Sequence, residues 1–155
     1  MTVQEQRTAT HSAEASSRSV VGGRELTHGT LDSRELVPSR EFYEAVLGLR
    51  CVQHAPIAQL ICGRGEVAVV CVKAGDRTAP QGDENRWVVS VGSEAEVVET
   101  RRRAAASGLT ECLGEIATVD GVTSFVMRDC DANWWEISTI SGQAYHAIFR
   151  KGDVA

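Results

Sequence analysis

Polar and apolar positions alternate or cluster along this chain in a way that predicts a repeated set of short elements. Leu26–Asp32, "LTHGTLD", reads as a strand. The segment "PSREFYEAVLGL" then carries Phe42 and Val46 at helical spacing. Ser39 is placed to cap that helix, Glu41 suits its first turn, and Gly48 is a natural stop. Three strand-like runs follow, Arg50–Gln53, Ala58–Cys62 and Val67–Lys73, punctuated by Pro56 and by Gly63-Arg64-Gly65.

The pattern then restarts. Arg86–Val91, "RWVVSV", is strand-like, and Ser93 with Glu96 forms a capping box at the head of a second helix. That helix is predicted to run to Ser107 and stop at Gly108. Strands are expected at Glu115–Val119, Ser124–Arg128 and Trp134–Ile140. Each helix closes on Gly-Leu, at Gly48-Leu49 and Gly108-Leu109. The chain therefore reads β-α-β-β-β twice, and neither half can bury a substantial core alone. The expected division is a disordered tail over 1–24, a first module over 25–74, a linker over 75–85, and a second module with a C-terminal segment over 86–155. The expected class is α+β, with two βαβββ modules forming curved mixed or antiparallel sheets around a central cleft.

Composition narrows the partners. The 155 residues are 43% hydrophobic and 24% charged, with a formal net charge of −5. This acidic balance disfavours nucleic acid and anionic membrane surfaces. The basic run Arg101-Arg102-Arg103 fits a solvated helix face. No apolar run approaches the roughly 18 residues of a membrane span, and the N-terminal stretch lacks the apolar centre of a signal peptide. Five cysteines without a CxxC pair fit reduced thiols in a cytoplasmic protein.

Strand alternation then sorts the chemistry-bearing residues. His28 shares a face with Leu26 and Thr30. Arg86 holds the corresponding place in the second module. Cys71 lies between Val70 and Val72, and Glu136 between Trp135 and Ile137, on corresponding last strands. Trp134 shares parity with Glu136 and is the pocket-lining candidate, whereas Trp135 is expected to face the helix layer. His28, Cys71, Arg86 and Glu136 would meet in one cleft if the sheets curl toward each other.

Two blocks carry a resemblance over most of the chain. "THGTLDSRELVPSREFYEAVLGL" resembles the opening strand and helix of the vicinal oxygen chelate superfamily, which includes glyoxalase I, extradiol dioxygenases and bleomycin-resistance proteins. "RDCDANWWEIS" resembles the closing RDxDGNWWEI signature of a dioxygenase-like branch. The resemblance implies a small-molecule substrate, a homodimer, and a divalent metal (iron, manganese or zinc) on the inner face of the curved sheets. By position the implied ligands are His28, the residue at 86, and Glu136. Position 86 departs from the pattern, because an arginine stays protonated and offers no lone pair. Ala132 also replaces the glycine of the signature.

Three readings follow from that departure. The chain is an enzyme with an altered site, either holding metal through His28 and Glu136 or using them as acid and base while Arg86 holds an oxyanion. Dioxygenase-like, lyase and isomerase chemistry on an oxygenated, aromatic or secondary-metabolite substrate all fit it. Alternatively the cleft binds an antibiotic or metabolite without turnover; on either reading Trp134, Arg86 and Cys71 are the expected substrate-binding residues. In the third reading Arg86 and Glu136 pair and plug a vestigial site.

Overall fold

The computed structural model describes residues 28–63, 68–79 and 81–153. The expected tail, the start of the first strand at Leu26, most of the turn after Cys62, and Pro80 lie outside the described residues. Residues His28–Gly142 fold as one compact body. Along it run β1 (His28–Ser33), α1 (Leu36–Ala45), β2 (Arg50–Ala55), β3 (Ala58–Cys62) and β4 (Ala68–Lys73). After a 3-10 turn at Gly75–Arg77 come β5 (Arg86–Ser90), α2 (Glu94–Ser107), β6 (Cys112–Leu113), β7 (Ala117–Val119), β8 (Val122–Arg128) and β9 (Trp134–Ser138).

The two sheets repeat one topology. The first has the order β1-β4-β3-β2, the second β5-β9-β8-β6, with β7 also on β8. In each, the opening strand pairs parallel to the closing one, and the remaining pairs are antiparallel. The α+β class and the duplicated arrangement expected from the pattern are those observed. The second module departs in one detail, since its edge is split into β6 and β7. Arg101 explains the break: its Nε donates to the Gly114 carbonyl at 2.7 Å, and its Nη2 reaches Glu115 at 2.8 Å. Arg101 is thus an anchor of the sheet edge, while Arg102 stays on the exposed helix face with Glu99.

Local chemistry accounts for the helix ends. Ser93 accepts from the Glu96 amide at 3.3 Å, and Glu96 reaches back to the Gly92 amide at 2.7 Å. Gly108 ends α2 at φ 68°, a conformation that costs a glycine little. The α1 expectation needs correction. The helix begins at Leu36 with Glu35 as its cap, so Ser39 lies within the helix rather than at its head. Pro38 is tolerated because it sits in the first turn, where its missing N–H has no helical partner to lose. The hairpin between β7 and β8 turns on Asp120 (φ 51°) and Gly121 (φ 79°), an Asp-Gly pair suited to a two-residue turn.

Both sheets turn one face toward a single core. Leu31, Cys51, Ile61, Val69 and Cys71 come from the first sheet, and Phe125, Met127, Trp135 and Ile137 from the second. Between them lie Leu36, Phe42 and Tyr43 of α1 and Val97 and Ala104 of α2. The Tyr43 and Phe42 rings sit 5.3 and 6.5 Å from that of Trp135. Trp87 lies against Gly29 so closely that no side chain fits there. Burying each large side chain contributes roughly 2 kcal/mol, so the shared core holds the two halves together.

The C-terminal segment, for which no element was predicted, forms α3 (Gly142–Lys151). Tyr145, Ile148 and Phe149 recur on one exposed face of α3, and Arg150 and Lys151 occupy its last turn, where cations favour the helix dipole.

Candidate functional site

The inner faces carry the apolar core side chains, whereas the chemistry-bearing candidates Arg86 and Glu136 lie on an outer face. Strand register sets the outer face of the second sheet. Arg86, Trp134 and Arg128 stand side by side on β5, β9 and β8. The next row is Val88, Glu136 and Val126, and the third Ser90, Ser138 and Ser124. Residues directly opposite one another share a face, so each row is a set of adjacent side chains.

Arg86 and Glu136 are joined. The Arg86 Nε donates to Glu136 Oε2 at 2.7 Å, and Nη1 donates to the Asp83 carbonyl at 3.1 Å. The Glu136 side chain is 16% exposed and that of Arg86 38%. A carboxylate this covered is costly to desolvate alone, and the guanidinium offsets that cost. Trp134 is half-buried in the first row, and the Arg128 guanidinium lies 5.5 Å from its ring centre. The opposite faces of β9 explain the motif: Trp135 and Ile137 point into the core, Trp134 and Glu136 away from it.

His28 stands elsewhere. On β1, Gly29, Leu31 and Ser33 face the core, so His28 shares the outer face of the first sheet with Thr30 and Asp32. A single chain therefore brings Arg86 to Glu136 but sets His28 on the outer face of the other sheet.

Cys71 is corrected outright. It pairs with Leu31, is 0% exposed, and its sulfur lies 4.0 Å from the Tyr43 hydroxyl. It belongs to the core and lines no cleft. Burial pushes its thiol up to about 11, so it stays protonated near neutrality. A one-residue slip between the two modules caused the misreading. Cys71 matches the core-facing positions of β9, and Val70 or Val72 the position of Glu136.

The turn before β9 uses its acids differently. The Asp129 carboxylate is buried and accepts five donors. Its Oδ1 takes the Asp131 and Asn133 amides, both at 2.9 Å. Its Oδ2 takes the Tyr43 hydroxyl at 3.1 Å, Asn133 Nδ2 at 3.1 Å and the Trp135 indole at 3.2 Å. Burial raises Asp129 above the usual carboxylate range, against the pull of the Asn133, Trp135 and Asp131 donors. Asp131 accepts from the Arg34 amide at 2.8 Å and from the Ser39 hydroxyl at 2.7 Å. Asn133 Nδ2 also donates to the Asp32 carbonyl. The turn thus pins the first module, through β1 and α1, to the second. Ala132 takes φ 62° within it, the left-handed region that favours the glycine of the resembling signature.

The donor set does not fit a divalent metal. Among the described residues, no three His, Cys, Asp or Glu side chains gather closely enough to hold one. Glu136 is already engaged by a cation that has no lone pair. Even a histidine brought from elsewhere would give two ligands beside a guanidinium, short of a 2-His-1-carboxylate set.

Sequence reading missed Arg128 and the serine row, both of which become visible only once β8 is registered against β9. It also missed the network of Asp129, whose spacing to Asn133 and Trp135 was the available signal.

No protein-family model matches the chain, and no curated protein matches it. Solved structures do. The fosfomycin resistance protein FosX from Listeria monocytogenes superposes with a TM-score of 0.64 at 18% identity, covering 78% of this chain and 97% of that one. The oxidase ChaP-H1 gives a TM-score of 0.62 at 24% identity over 77% and 98%. A lactoylglutathione lyase from Agrobacterium tumefaciens gives 0.58 at 19% over 75% and 93%.

Proposed function

We propose that this chain, which carries the vicinal oxygen chelate fold, is an enzyme acting on a small oxygenated molecule in a metal-free cleft built from two copies. The observation that carries this reading is the 2.7 Å contact between Arg86 and Glu136 on an outward sheet face. A guanidinium stands where the resemblance implies a metal ligand. Like a metal ion, it is a fixed positive charge that can hold an oxyanion. Glu136 is the base on this reading, and its Arg86 contact keeps the carboxylate oriented. His28 is the partner acid or base, supplied by the first sheet of a second copy.

Two features support the second copy. The inner faces of both sheets share one core, so the outer faces of one chain look away from each other. The outer face of the first sheet is also apolar at its centre, where Val70 stands beside Leu60 and Val52. Such a patch suits contact with another surface. The occupied Glu136 oxygen gives weight to a second reading, in which the same cleft binds its ligand without turning it over.

Sedimentation velocity at micromolar concentration tests the assembly. A dimer that Leu60→Asp splits into folded monomers is expected, whereas a monomeric wild type removes His28 from the site. Product analysis on ligands found by thermal-shift screening separates turnover from binding. No helix of the described residues is long and apolar enough to cross a membrane.

A further inference from the structure

The first row of the outward sheet face places a guanidinium on each side of an indole: Arg86, Trp134 and Arg128. The two guanidinium groups are not equally committed. Arg86 is fastened to Glu136 and to the Asp83 carbonyl. Arg128 lies over the Trp134 ring at 5.5 Å, and its ion pair with Glu111 is long at 3.8 Å. Its Nε is buried without a hydrogen-bond partner among the described residues. A buried donor left unsatisfied is costly, so the protein itself holds this guanidinium less completely than that of Arg86. Beyond this row, Val88 and Val126 flank Glu136, and Val88 is 45% exposed. The face therefore offers cations and an aromatic edge at one end, then an apolar floor interrupted by a single carboxylate.

We infer that this face selects a planar aromatic hydroxy acid, and that Arg128 and Trp134 determine that specificity. The inference rests on the proposed cleft and names the class of molecule it takes. The ligand carboxylate accepts from Arg128, whose planar fork matches it. The ring lies against the Trp134 edge and the two valines. The hydroxyl beside the carboxylate donates to Glu136, the acceptor in the middle row. A neutral ester of the same ring would satisfy the floor but not Arg128, and a saturated acid would satisfy Arg128 but not Trp134.

The test is calorimetric titration of the full chain with 1-hydroxy-2-naphthoate, its methyl ester and cyclohexanecarboxylate. The wild type is expected to bind the aromatic acid about tenfold or more tightly than either control, the size of one charge-assisted hydrogen bond. Arg128→Gln is expected to abolish the preference for acid over ester without moving the ester. Arg128→Lys retains part of that preference, since it keeps the charge and loses the fork. Trp134→Leu is expected to abolish the preference for the aromatic over the saturated acid. Unfolding midpoints near the wild-type value show that each variant is folded. Equal binding of acid and ester, an Arg128→Gln chain that keeps the preference, or no binding of any of the three overturns the inference. Failure of the two-copy cleft shows separately, as a monomer in sedimentation.

Discussion

Three carboxylates stand within eight residues of one another, and the chain uses them in two ways. Asp129 and Asp131 are buried in a turn and satisfied by neutral donors from both modules. Glu136, a few residues on, stands on an outward face and is satisfied by a single cation. Neutral donors held by the backbone and by core side chains make a fixed staple between modules. A guanidinium on a half-open face makes a charge pair that a ligand can enter. The difference assigns stability to the turn and leaves the strand for the chemistry proposed above, although one short stretch of sequence contains both.

The largest expected effect lies in the turn. Asp129→Ala removes the acceptor shared by five buried donors, of which Asn133 Nδ2 keeps the Asp32 carbonyl, and a loss of about 4 kcal/mol or more is expected. Denaturant unfolding measures it, and a near-neutral result would dissolve the contrast between turn and strand. Tyr43→Phe removes one of those donors and should cost about 1–2 kcal/mol.

The same variant sharpens the comparison through pH. Burial raises Asp129 above its unfolded value of about 3.9. In the window just above that value the native state binds the extra proton, so this contribution to stability falls as pH rises. It is fully present only below the unfolded value. Losing the Tyr43 donor should raise Asp129 further and extend the falling region upward. Unfolding midpoints of wild type and Tyr43→Phe through the acid range check both the slope and its extension.

Smaller still is Ala132→Gly. The left-handed backbone at Ala132 strains a side chain, while glycine gains freedom in the unfolded chain, so a net stabilisation of about 0.5–1 kcal/mol is expected from unfolding midpoints. The smallest stability effect belongs to the outward pair. Arg86 is more than a third exposed, so a double-mutant cycle of Arg86→Ala and Glu136→Gln should return about 1 kcal/mol or less of coupling. A coupling as large as the Asp129 effect would make Glu136 a structural residue like its neighbours.

Much of the architecture was legible because periodicity and stops are local. The Ser93–Glu96 cap, the Gly108 stop and the alternation around Trp135 and Glu136 each depend on a few adjacent residues. What could not be read depends on register and on contacts far apart in sequence. Cys71 fell on the wrong face through a one-residue slip. Ser39 looked like a cap because it precedes an apolar spacing, yet its hydroxyl is held by Asp131, 92 residues away. Arg128 joined the candidate site only when β8 was set against β9. Strand alternation paired His28 with Arg86 and Cys71 with Glu136 as corresponding positions, and the Arg86–Glu136 contact it allowed is present because β5 lies beside β9.

The central claim is that Arg86 occupies the place at Glu136 that a metal would need. Anaerobic calorimetric titration with iron(II), and with manganese(II) and zinc(II), measures this in the wild type and in Arg86→His. The account predicts no stoichiometric metal uptake by the wild type and at least about tenfold tighter binding in Arg86→His, which frees the carboxylate and adds a ligand. Tight stoichiometric binding by the wild type, unchanged by the substitution, would contradict it.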